Sequence, residues 1–142
     1  MHIRNILVGF DGSEASDRAL AFAEDLAGQY GARMLIVTVL QPFVGPAGEL
    51  AAAPQTPTKE ECDQAQQELD RRAKALRARG RLVDVQVEVG VPARTLLEFA
   101  DRFDVSAIVA GRSGKGSIAR FVLGSVTTSL LHKSTKPIIV VP

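Results

Sequence analysis

Val105-Ser106-Ala107-Ile108-Val109-Ala110-Gly111-Arg112-Ser113-Gly114, followed after nine residues by Gly124-Ser125, is the stretch that decides how this chain folds. Val105 to Ala110 is a short apolar run of the kind that makes a buried strand. The glycines mark a loop, and a helix is expected from about Ser125 to His132. Strand, glycine loop and helix in that order are the unit of a parallel α/β sheet, and such a loop is a place where backbone can hold phosphate. Glycines turn the chain with positive φ and bring N–H groups close to an anion, while the helix start adds a partly positive end. Charge agrees with geometry. From Val105 to Pro142 there is no Asp or Glu, whereas Arg112, Lys115, Arg120, Lys133 and Lys136 are cationic. Glycine-rich strand-to-helix loops also occur in proteins that bind nothing, so the glycines alone leave phosphate binding open.

Two better-known loops are excluded or weak. A Walker A loop needs Gly-Lys followed directly by Ser or Thr, but Gly114-Lys115 is followed by Gly116, and Val109 stands where its first glycine should be. Gly114-Lys115-Gly116-Ser117-Ile118-Ala119 fits the dinucleotide pattern with Ala in third place, yet no acid follows to hold a ribose.

Outward from this loop the chain alternates strands and helices. Ile6 to Phe10 is an apolar run closed by Asp11-Gly12-Ser13, a turn and cap signal. The next helix carries Ala19, Ala23, Leu26 and Tyr30 on one stripe and stops at Gly31; Met34 to Leu40 reads as a strand buried on both faces. Gln41 to Pro57, with four prolines, reads as irregular. Thr58 and Glu61 make a capping box for a second helix with the stripe Ala65, Leu69, Ala73 and Leu76. Val83, Val85, Val87 and Val89 alternate with Asp84, Gln86 and Glu88, which gives a strand one wet face and places it at a sheet edge. Pro92 opens a third helix carrying Leu96, Leu97, Ala100 and Phe103, with Glu98 and Arg102 as an outer pair. Ile138 to Val141 is the last strand.

Five strands alternating with four helices imply an open, doubly wound parallel sheet of Rossmann-like type with helices on both faces. Several strand orders fit; the wet third strand and the apolar first and fourth favour 3-2-1-4-5. That order places a switch point between strands one and four, where open α/β sheets hold ligands. Asp11 and the Gly111 loop would flank one cleft there.

The 142 residues predict one domain, 1–142, of ordinary core size. A single cysteine, Cys62, excludes an internal disulfide and fits a reducing compartment. A formal net charge of +1, no Trp and one Tyr give no case for nucleic-acid binding. No apolar run is long enough to span a bilayer and no signal peptide is legible, so a cytoplasmic protein is expected.

Taken together these residues resemble the universal stress protein family. Gly111-x-x-Gly114, nine residues and Gly124-Ser125 look like its ATP-binding signature. Asp104, Arg112, Leu123 to Val126, the run Lys136 to Val141, and Ile6-Leu7-Val8 with Asp11-Gly12-Ser13 match it too. The resemblance implies a doubly wound fold, ATP binding with or without magnesium, and a homodimer. It places Asp11 near the nucleoside and the Val39 backbone against the adenine. Gly111 and Gly114 become phosphate-loop glycines, and Gly124 and Ser125 lie at the terminal phosphates. Arg112 and Lys115 supply the loop's charge. Many members have Arg-Gly-Arg where this chain has Ser113-Gly114-Lys115, and a lysine keeps the charge without the bidentate fork.

Duller readings stand beside these. Asp11 and Ser125 could each be a helix cap. His2, His132 and Cys62 share no ligand-like spacing, so no metal site is expected. No general base is evident, which predicts no dedicated catalysis and at most slow ATP hydrolysis or autophosphorylation. The expected function is a nucleotide-dependent regulatory module in stress response. The alternative is a nucleotide-independent dimer acting by protein contact. In either case the apolar edge strand Ile138 to Val141 is the expected homodimer contact.

Overall fold

Residues 2–42, 55–113 and 123–142 are described by a computed structural model of the chain. Along it run β1 (Asn5–Gly9), α1 (Glu14–Tyr30), β2 (Arg33–Leu40), α2 (Lys59–Ala78), β3 (Leu82–Val89), α3 (Pro92–Arg102), β4 (Ala107–Gly111), α4 (Ser125–Lys133) and β5 (Ile138–Val141). The strands form one parallel sheet in the order β3-β2-β1-β4-β5.

Burial explains that order. Ile6, Leu7 and Val8 of β1 are wholly buried, which only a central strand covered on both faces allows. Successive side chains of a strand point to opposite faces. Ile6, Val8 and Phe10 therefore join Met34 and Ile36 under α1 and α2, while Leu7 and Val37 join Ile108 under α3 and α4. β3 occupies one edge as its alternation requires. Its Val83, Val85 and Val87 pack toward α2, and Asp84 on the other face pairs with Arg33 at 2.9 Å. β5 occupies the opposite edge.

Local signals set most boundaries. The capping box at α2 is formed in both directions, with Thr58 Oγ1 accepting from Glu61 N–H at 3.1 Å and Glu61 Oε2 accepting from Thr58 N–H at 2.7 Å. Pro92 starts α3. β4 begins at Ala107, two residues later than the apolar run predicts. Val105 N–H closes α3 by donating to the Ala100 carbonyl, and Asp104 between them takes a left-handed φ of 44°. Val105 is thus spent on ending a helix while its side chain stays in the core. Tyr30 and Phe103, expected on apolar stripes, lie half exposed at helix ends. Arg102, expected opposite Glu98, lies over the Phe99 ring at 5.1 Å. Most of the proline-rich Gln41–Pro57 segment, residues 43–54, lies outside the described residues. Among the described residues no helix is long and apolar enough to cross a membrane.

Candidate functional site

β1 and β4 are neighbours in the sheet but hand the chain to opposite faces, β1 to α1 and β4 to α4. Their carboxyl ends therefore part, and a cleft of about 560 Å³ opens between them. Asp11, Val39, Gly111, Gly124 and Ser125 all line it, with Pro92 and Leu96 of α3 beneath. Five of the eight expected residues are thereby brought together. Arg112 is not among the lining residues, and Gly114 and Lys115 lie outside the described residues.

Asp11 sits in the turn after β1, where its Oδ1 accepts from Ser13 N–H at 2.9 Å and Gly12 takes a φ of 78°. It is not the cap of α1. Ser13 is, through Oγ accepting from Ser16 N–H at 3.1 Å, which leaves Asp11 at the mouth of the cleft.

The peptide groups of β2 explain why Val39 faces the same space. Phe10 N–H donates to the Val37 carbonyl and Gly90 N–H to the Leu40 carbonyl. Peptide groups alternate in direction along a strand, so Val37 and Val39 turn theirs toward β1, and Thr38 and Leu40 toward β3. β1 pairs with β2 only as far as Gly9 opposite Val37. Beyond that rung Val39 presents one N–H and one C=O to the cleft.

Gly111 ends β4 where it meets α1. A Cβ built there would stand 2.7 Å from the Ala15 carbonyl carbon and 2.8 Å from the Ala15 Cβ. Real Cβ contacts do not come that close, so the site requires glycine for packing, whatever it does for a ligand.

Across the cleft, Gly124 is the N-cap of α4 and Ser125 its first helical residue, which corrects the reading of Ser125 as cap. Gly124 N–H donates to the Arg112 carbonyl at 2.9 Å, and Arg112 N–H to the Val141 carbonyl at 2.7 Å. The first-turn N–H groups of Ser125, Val126 and Thr127 have no intrahelical acceptor, and among the described residues no side chain caps that end. They form a donor cluster at the positive end of the helix dipole. Sequence reasoning missed Ser16 and Thr127 in this wall. Both read as ordinary helix residues, and only the packing shows that they face a cleft.

A second hollow, of about 520 Å³, lies where Phe10, Asp11 and Thr38 meet the start of α2. Among the described residues its walls carry Asp11, Glu61 and Glu68 and no Lys or Arg. The Arg71 hydrogen bond holds the Glu68 carboxyl below its usual range. Glu68 is paired with Arg71 and Arg72, and the capping box takes up the start of α2 that opens into this hollow. Among the described residues no group of three or more His, Cys, Asp or Glu is placed to hold a metal ion.

Known proteins match this chain along nearly its whole length. The model of the universal stress protein family matches residues 2–142. A universal stress protein of Mycolicibacterium smegmatis is 32% identical over 145 residues, covering 96% of this chain and 47% of that protein. This chain thus spans about half the length of that relative. Universal stress protein UspA of Lactobacillus plantarum superposes with a TM-score of 0.84 at 22% identity, covering 100% of this chain and 99% of that one. A universal stress protein of Archaeoglobus fulgidus, solved in complex with dAMP, superposes with a TM-score of 0.73 at 27% identity, with 100% of both chains covered.

Proposed function

This chain belongs to the universal stress protein family, and on that premise we propose that it binds ATP in the β1–β4 cleft and works as a nucleotide-dependent regulatory module in stress response. The observation that carries this is the convergence, in one cleft, of the Val39 rung beyond the last β1–β2 pair and the N-terminus of α4, which no side chain among the described residues caps. An adenine edge offers an acceptor ring nitrogen beside an amino donor, which matches one N–H and one C=O from a single residue. Phosphate oxygens match the first-turn amides of Ser125 and Val126. Asp11 lies between and accepts from ribose hydroxyls. The dAMP complex of the Archaeoglobus relative supports an adenine nucleotide as the ligand class.

Gly114, Lys115 and the charge of Arg112 complete the phosphate loop in this reading. Asp11 is the one carboxylate among the described lining residues. That suits magnesium carried mainly by the phosphates, since the ion is usually held by one or two carboxylates, waters and phosphate oxygens. The protein acts in the cytoplasm as a homodimer joined at β5.

The test is calorimetric titration of ATP into wild type and Gly124→Val. Gly124 has φ −63° and ψ 158°, which valine also adopts, so the backbone itself does not require glycine there. The valine side chain blocks the approach of phosphate to the helix end, and a loss of at least tenfold in affinity is expected. Equal affinities would refute the assignment. Mass spectrometry of gently purified protein separates this reading from a nucleotide-independent dimer, because only the former copurifies with adenine nucleotide.

A further inference from the structure

Three buried polar residues stand out among those described, Ser16, Thr38 and Thr127, and each donates its hydroxyl to a backbone carbonyl at the carboxyl end of the sheet. Ser16 serves Ser13, Thr38 serves Phe10 at 2.8 Å, and Thr127 serves Gly111 at 2.8 Å. The last of these differs in what its carbonyl faces. Ile108 and Arg112 donate to Pro137 and Val141, so even-numbered residues of β4 turn their peptide groups to β5 and odd-numbered ones toward β1. β1 and β4 pair only as far as Val8 opposite Val109. The Gly111 carbonyl therefore points past the end of β1 into the cleft, beside the first turn of α4.

A bare carbonyl oxygen there would set its negative end against an incoming phosphate. We propose that Thr127, only 3% exposed, is a positioning residue of the phosphate subsite. Its hydroxyl occupies the Gly111 carbonyl and ties the third residue of α4 to the end of β4. Together with the bond from Gly124 N–H to the Arg112 carbonyl, it fixes the helix start against the last residue of β4 and the one that follows it. The amides of Ser125 and Val126 are then aimed before any ligand arrives, and the wall they meet offers donors. This inference rests on the nucleotide reading of the cleft. It adds a residue whose side chain acts through the backbone rather than on the ligand.

The experiment measures ATP and adenosine affinities for wild type, Thr127→Val, Thr127→Ser and Thr38→Val, with melting temperatures alongside. Thr127→Val keeps the shape, removes the donor and leaves the Gly111 carbonyl unpaired. ATP affinity is expected to fall about tenfold, the lower part of what an unsatisfied buried group costs, while adenosine affinity changes less than twofold. Thr127→Ser restores the ATP affinity to within threefold. Thr38→Val also strips a buried hydroxyl from a strand-end carbonyl, but on the other face of the sheet. It lowers the melting temperature without changing the ratio of ATP to adenosine affinity. Should Thr127→Val not fold, Thr127→Ala removes the same hydroxyl and carries the same expectation. An equal loss for both ligands, or an unchanged ATP affinity, overturns the positioning role. A wild type that binds neither ligand overturns the cleft reading itself, and this inference with it.

Discussion

A glycine can be required by the protein or by its ligand, and the two that bracket this cleft differ in that respect. Gly111 lies against the Ala15 backbone, so Gly111→Ala forces β4 and α1 apart. Overpacking of this kind costs about 1–3 kcal/mol. We expect Gly111→Ala to lose that much stability in urea unfolding even without nucleotide, and a melt matching wild type would show that the contact gives way freely. Gly124 has ordinary extended backbone, so no strained conformation calls for glycine there. The signature spacing made both residues legible in the sequence, but it could not separate their reasons. Ser13 and Asp11 show the same limit. A cap signal was readable at Asp11-Gly12-Ser13, and only the turn geometry decides that Ser13 caps while Asp11 faces the cleft.

Elements are joined here by ion pairs as well as by core. Glu24 of α1 accepts from Arg79 Nε at 2.7 Å and Nη2 at 2.9 Å, with Arg81 Nε 3.8 Å away, so the middle of α1 is tied to the chain just past α2. The Arg79 hydrogen bond holds the Glu24 carboxyl below its ordinary range, against the opposing effect of burial. A carboxylate depressed in the folded state contributes stability above its unfolded pKa, which is lost as pH falls through the folded value. Glu24→Gln should therefore be less stable than wild type at pH 7, with the gap closing as pH drops through and below the carboxylate range. A gap that stays constant down to about pH 3, below the ordinary Glu value, would assign the loss to packing instead. No spacing rule pairs residues 55 positions apart, so this tie was not legible in the sequence. The capping box of α2 was, because its two partners lie within one turn.

For the molecule as a whole, β5 leaves one edge of the sheet open, and its four residues are each partly exposed. Arg18 of α1 holds the Pro142 carbonyl at 2.6 Å, and one turn further on Phe22 is 44% exposed; Leu131 of α4 is 46% exposed. An apolar edge strand with exposed apolar side chains on helices of both faces suits a second copy of itself, since two-fold symmetry sets the same strand antiparallel to its mate. Val140→Lys should shift a wild-type dimer toward monomer in analytical ultracentrifugation; a monomeric wild type at high micromolar concentration, or an undiminished mutant dimer, argues for another interface. Turnover of bound ATP is expected on the order of one event per minute or slower, because phosphoryl transfer needs a metal, a placed nucleophile and a charge stabiliser together. A single-turnover rate of about one per second with labelled ATP and magnesium would reveal an unrecognised catalytic group. The alternation of apolar runs and caps by itself determined a parallel sheet with a wet edge strand and favoured the order 3-2-1-4-5 among several that fit, because hydrophobic period is a local property of the chain. The signature glycines likewise located the cleft at the switch point. Only the tertiary structure decided that β1 stops short of Val39 on its neighbour β2, and that a buried Thr127 hydroxyl occupies the Gly111 carbonyl. Those are facts about where one strand stops relative to another, and no single segment of sequence carries them.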